Sequence, residues 1–175
     1  MDAKPRNEIS RNEISRNEES QNVPAGKRTK VERKSDREIV VTRLFDAPPR
    51  LVFEAWTKPE LFKQWWVPRS MGMTLHACEM DVRTGGKYRL NFGEGMDFYG
   101  KYLEVTPPSR IVWTNDEDAE NASITTVTFE EQNGQTLLVM SELYPSKEAL
   151  EEAGGAADAT HETFRQLDEL LATLG

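Results

Sequence analysis

The stretch "AADATHETFRQLDELLATL", residues 156–174, puts Phe164, Leu167, Leu170, Leu171 and Leu174 on one stripe of a predicted helix. Such a stripe must be buried against another element. What precedes it supplies the partner. "TLHACEMDV" (74–82), "KYRLNF" (87–92), "DFYGKYLEV" (97–105), "RIVWT" (110–114), "SITTVTFE" (123–130) and "QTLLVMSEL" (135–143) read as strands, separated by turn residues such as Gly85-Gly86, Pro107-Pro108 and Asn133-Gly134. Six consecutive hairpin-linked strands form an antiparallel meander. A twisted meander covered by one long helix is an α+β arrangement in which the sheet curves around the helix.

Upstream, "REIVVTRLF" (37–45) is β-branched and reads as a first, seventh strand. "APPRLVFEAW" (47–56) follows with helical spacing of Val52, Phe53, Ala55 and Trp56. A second short helix is predicted after Thr57-Lys58-Pro59-Glu60, which has the form of a capping box with Thr57 as the cap. It carries two i,i+4 pairs, Leu61/Trp65 and Phe62/Trp66, and Pro68 closes it. "PSKEALEEA" (145–153) predicts a short helix capped by Ser146.

Residues 1–36 have a different texture. The pentapeptides "RNEIS", "RNEIS" and "RNEES" (6–20) advance about 140° per repeat around a helix, so Ile9 and Ile14 share no stripe. This segment is predicted to be a disordered tail, with the folded domain spanning 37–175. The tail has nine Lys/Arg against seven Asp/Glu, and 37–175 has 13 against 23, within a net charge of −8. The acidic body argues against nucleic acid as a partner, because phosphate binding needs clustered cations. No apolar run approaches the roughly 20 residues of a membrane span, and no signal-peptide core is present. The lone Cys78 cannot form an internal disulfide and suits a reducing compartment, so a cytoplasmic protein is expected.

Four segments together are similar to one known family. "VFEAWTKPELFKQWWVP" (52–68), "CEMDVRTGG" (78–86), "GKYLEVTPPSRIVWT" (100–114) and "RQLDELL" (165–171) resemble prokaryotic homologues of the heat-shock-protein-90 ATPase activator. These belong to the SRPBCC (START-like) superfamily, which includes polyketide cyclases and lipid-transfer domains. The resemblance covers about residues 37–174. It implies a helix-grip fold: a curved seven-stranded antiparallel sheet around the long C-terminal helix, two short helices after the first strand, and a hydrophobic ligand cavity. Relatives often carry larger residues where "GAADAT" (155–160) has Ala156, Ala159 and Thr160, which implies a roomier cavity here. Eukaryotic activators have a separate, larger N-terminal domain, which residues 1–36 are too short to be.

Strand alternation selects the walls of the expected cavity. Trp66, Tyr88, Leu90, Phe92, Phe98, Tyr102, Trp113, Met140 and Phe164 are its apolar candidates, with His76 and Glu142 as polar contacts. Trp65 is expected to be a buried anchor and Trp66 to stand at the cavity mouth. Glu142 and His76 are also the weak candidates for proton transfer, since a carboxylate in an apolar hollow has a raised pKa. His76 and Cys78 lack a third metal ligand, and no G-x-S-x-G nucleophile context occurs. Neither metal nor cofactor is expected. A ligand-sized cavity of about 300 Å³ would cost about 7 kcal/mol if dry, which favours occupancy. The leading expectation is binding of a small apolar ligand, a lipid or an aromatic metabolite. The alternatives are a chaperone-interacting stress-response domain and a cyclase-like enzyme.

Overall fold

The computed structural model describes residues 29–115, 122–153 and 158–174. Eight strands form one antiparallel sheet: β1 (Lys30–Arg33), β2 (Glu38–Phe45), β3 (Ala77–Met80), β4 (Lys87–Asn91), β5 (Asp97–Thr106), β6 (Arg110–Thr114), β7 (Ile124–Gln132) and β8 (Gln135–Leu143). Their order is β1-β2-β8-β7-β6-β5-β4-β3. The predicted meander therefore holds from β3 to β8, and β2 closes onto β8. Four helices complete the chain: α1 (Pro49–Thr57), α2 (Pro59–Trp65), α3 (Lys147–Ala153) and α4 (Thr160–Leu174).

The inner face follows from period-two alternation. Val41 pairs with Met140, which pairs with Val127, and Arg43, Leu138 and Phe129 form the next row. All six are buried. The β7–β8 hairpin turns on Asn133 (φ 54°) and Gly134 (φ 84°), the left-handed pair that a two-residue hairpin requires. Helix α4 lies across this face with Phe164, Leu167 and Leu171 buried. The Phe164 ring meets Phe45 edge-on at 5.5 Å. Arg43, 2% exposed, faces the helix and is neutralised by Asp168 of α4 at 3.5 Å, with Thr29 Oγ1 accepting from it at 3.0 Å.

Two expectations are corrected. The sheet has eight strands rather than seven, and β1 lies inside the segment expected to be outside the fold. Its sequence, KVER, offers only Val31 to the core, so hydrophobic patterning cannot register it. Backbone pairing to β2 holds it, and its charges suit an exposed edge. The RNEIS repeats lie outside the described residues. Second, the capping box at Thr57 does not form. Lys58 occupies the N-cap of α2 without a side-chain cap, and the Thr57 hydroxyl donates back to Phe53 O at 2.9 Å within α1. The cap on α3 is as predicted: Ala149 N–H donates to Ser146 Oγ at 3.0 Å.

Candidate ligand pocket

Between α1–α2 and the β3–β6 half of the sheet lies a hollow lined by Trp56, Phe62, Trp66, Met80, Tyr88, Leu90, Tyr102, Ile111 and Trp113. The helical wall follows from the i,i+4 pairing of Phe62 and Trp66, whose rings stack at 4.7 Å and 27°. Trp56 meets Trp66 edge-on at 5.8 Å and Trp113 at 5.8 Å. On the sheet side, Met80 pairs with Tyr88, and Tyr102 with Trp113.

A β-bulge explains why β5 shows conflicting parity. Tyr102 pairs with Trp113 but Glu104 pairs with Val112 and Val105 with Ile111, so one extra residue is accommodated at Leu103. Tyr102 and Val105 consequently both join the core side, whereas Leu103 is exposed.

Gly100 sets the position of the Tyr88 ring. It pairs with Tyr88, and a β-carbon there would sit 2.2 Å from the ring and 2.2 Å from Thr114 O. The Tyr88 hydroxyl donates to that same Thr114 carbonyl at 2.7 Å. Gly100→Ala should therefore displace Tyr88 and cost about 1–3 kcal/mol. Chemical denaturation would measure the loss, and unchanged stability would mean that the ring is not locked against the glycine.

The two tryptophans of the "QWW" run differ in their packing. Trp65 is fully buried and its Nε1 donates to Ala55 O at 2.9 Å. Trp66 is half-buried and forms part of the cavity wall. The run is held by a residue that sequence reasoning passed over, Gln166 of α4. Its Nε2 donates to Trp65 O at 3.0 Å and Val67 O at 2.9 Å, and its Oε1 accepts from Arg69 N–H at 2.9 Å. Glu162, one turn earlier, accepts from the Ser70 backbone at 2.9 Å and from its hydroxyl. A buried polar position inside an apolar stripe is the signal that could have revealed Gln166.

The hollow is much smaller than expected. Its volume is about 40 Å³, room for one or two water molecules. Left dry it would cost only about 1 kcal/mol, which is too little to demand an occupant. Any larger guest must move a wall. Tyr88 is pinned by its hydroxyl and most of the other walls are buried, whereas Trp66, Met80 and Trp113 are half-buried. Of the expected roomy segment 155–160, residues 155–157 lie outside the described residues.

Of the eleven candidate binding residues, Trp66, Tyr88, Leu90, Tyr102 and Trp113 line this cavity. The other six do not. His76 is exposed beside edge strand β3. Phe92 and Phe98 meet edge-on at 5.5 Å near the β4–β5 turn, with Phe98 53% exposed. Met140 and Phe164 are buried in the main core. Glu142 lies on β8, five strand positions from β3, so at about 4.8 Å per strand it cannot work with His76 as a pair. Trp56, Phe62, Met80 and Ile111 complete the lining.

Charge chemistry is sparse around the hollow. Burial pushes the Tyr102 phenol well above its ordinary value, with Tyr88 and Cys78 adding to the effect, so it remains a protonated donor. Burial raises the Cys78 thiol to about 11. The Trp56 Nε1 is buried without a hydrogen-bond partner, a defect of about 1–3 kcal/mol if nothing fills the role. Away from the cavity, burial raises the Glu142 carboxyl, partly offset by the Tyr144 hydroxyl at 3.3 Å. An acid with a raised folded-state pKa holds its proton more tightly when folded. Stability is therefore lost as pH rises from the ordinary carboxylate range through the raised value. Glu142→Gln should raise the melting temperature relative to wild type at pH 8 and not at pH 4. An equal change at both pH values would contradict this.

The sequence of residues 46–172 matches the family model described as Activator of Hsp90 ATPase homolog 1-like protein. The chain belongs to that family. No curated protein matches the chain significantly. Solved structures of similar fold include a protein from Rhodobacter sphaeroides (25% identity, TM-score 0.72), covering 84% of this chain and 99% of that one. A protein from Nitrosomonas europaea has 22% identity and a TM-score of 0.72, over 82% and 99% of the two chains. One from Mycobacterium smegmatis has 24% identity and a TM-score of 0.68, over 85% and 99%. These likenesses establish the helix-grip architecture for this member of the family. No helix among the described residues is long and apolar enough to cross a membrane.

Proposed function

We propose that the protein is a binding module for a small apolar or amphipathic molecule, a lipid chain or an aromatic metabolite, held between α1–α2 and the β3–β6 wall. The observation that carries this reading is the concentration of three tryptophans, two tyrosines and a phenylalanine around one hollow, with a half-exposed indole as part of its wall. Large planar side chains give affinity for apolar guests at little rotamer cost. Swinging Trp66 outward enlarges the hollow while leaving Trp65 and the core behind it in place. No described hydrogen bond is made by its indole nitrogen, so the movement breaks only ring contacts.

Titration of ¹⁵N-labelled protein with methyl esters of medium-chain fatty acids and naphthalene-sized aromatics tests the proposal. Saturable shifts are expected at the amides of Met80, Tyr88, Leu90 and Ile111 and at the Trp66 and Trp113 indoles. Silence at these positions for the whole set would overturn it.

A second reading, docking to a chaperone, is favoured by a different observation. Met96 and Phe98 are exposed at the β4–β5 turn, and exposed apolar groups of this kind mark interaction surfaces. Retention by an immobilised bacterial homologue of the chaperone, lost in Phe98→Ser, is its expected result. The cyclase-like reading has no comparable support, since its two proton-transfer candidates lie apart and outside the cavity.

A further inference from the structure

The chemistry of the pocket lining points beyond a generally apolar guest. Trp56 is 2% exposed, lines the hollow, and its Nε1 has no acceptor among the described residues. The contrast with Trp65 is direct, because that indole donates to Ala55 O. The rings around Trp56 are Phe62, Trp65, Trp66, Trp113, Phe129 and Phe164, none of which carries a lone-pair oxygen. The other polar groups of the lining are the indole N–H groups of Trp66 and Trp113 and two phenols. The Tyr88 hydroxyl is spent on Thr114 O. Tyr102 is buried, and its hydroxyl makes no described hydrogen bond. No side chain in the lining carries a charge.

The hollow thus offers donors, has no cation to receive an anion, and provides aromatic faces for the remainder of a guest. We propose that the pocket selects a neutral apolar ligand bearing a carbonyl-type acceptor, such as a ketone, quinone, ester or amide, which accepts from Trp56 Nε1–H. This rests on the ligand-binding reading above and specifies its ligand class. A free carboxylate is disfavoured, because burying an uncompensated charge costs far more than a hydrogen bond returns. A pure hydrocarbon is disfavoured for the opposite reason: it would leave the indole donor buried and unmade. Sites built to hydrogen-bond a ligand discriminate strongly against analogues lacking the polar group.

The matched pair 1-indanone and indane, which differ by a carbonyl in place of one methylene, provides the test on the full chain. Both are titrated while the four indole N–H signals are followed by two-dimensional NMR. The expected result is binding of both, with indanone at least tenfold tighter and the Trp56 indole proton moving downfield with indanone only. In Trp56→Phe the preference should shrink to within a factor of about two. If that variant does not fold, the wild-type Trp56 signal still decides. Equal affinities with an unmoved Trp56 proton would overturn the acceptor-bearing class and leave the pocket standing. Failure of both compounds to move any lining signal would overturn the acceptor class and count against the pocket as well.

Discussion

Gln166→Leu should lower the stability of the domain by about 3 kcal/mol, a fall of roughly 10 °C in Tm. The substitution keeps an apolar volume at a buried helix position but removes one acceptor and both amide donors. Three backbone groups then lose their partner together: the carbonyls of Trp65 and Val67 and the N–H of Arg69. Each lost bond is worth about 1 kcal/mol, and a group left buried and unpaired adds to it. Gln166→Glu separates the contributions. It retains the acceptor for Arg69 N–H and opposes both carbonyls, so it should be no more stable than the leucine variant. Differential scanning calorimetry measures both. A loss below about 1 kcal/mol for Gln166→Leu would show that the segment after α2 is held by its own packing rather than by α4.

The tryptophan pair yields the second large effect. Trp65→Ala should cost about 4–5 kcal/mol, because it removes ring contacts with Trp56 at 4.7 Å, Phe62 at 5.5 Å and Phe164 at 6.3 Å, and leaves Ala55 O without its donor. Trp66→Ala should cost far less, about 1–2 kcal/mol, since that side chain is only half-buried and no described hydrogen bond is made by its nitrogen. Adjacent residues of one type would then differ by more than 2 kcal/mol in urea denaturation. Equal losses would remove the distinction between an anchor and a movable wall on which the binding proposal depends.

These effects also show what the chain discloses before it is folded. The strands of the meander and the stripe of α4 follow from periodicity because each has one face that must be dry. Asn133-Gly134 locates its hairpin because a two-residue turn needs left-handed backbone at both positions. β1 escaped because an edge strand is held by backbone pairing, which leaves almost no trace in side-chain pattern. The capping box failed at Thr57 because the hydroxyl found a partner in the preceding helix first. For the site, alternation identified which residues face inward but not how far apart the facing walls stand. Phe98 and Met140 show the gap: both belong to the predicted set, yet one is exposed beside the β4–β5 turn and the other is buried in the main core. The size of the hollow depends on how rings of similar volume interlock, and that is a property of three-dimensional packing with no counterpart in sequence spacing.

On the binding proposal, a guest reaches the space between α1–α2 and the β3–β6 wall by displacing Trp66. Stopped-flow association of the neutral fluorophore 1-N-phenylnaphthylamine with wild type and Trp66→Ala tests it most directly. The account predicts saturable binding to both proteins, with association at least tenfold faster in the variant because the barrier of moving the indole is gone. Identical rates, or no binding to either protein, would contradict it.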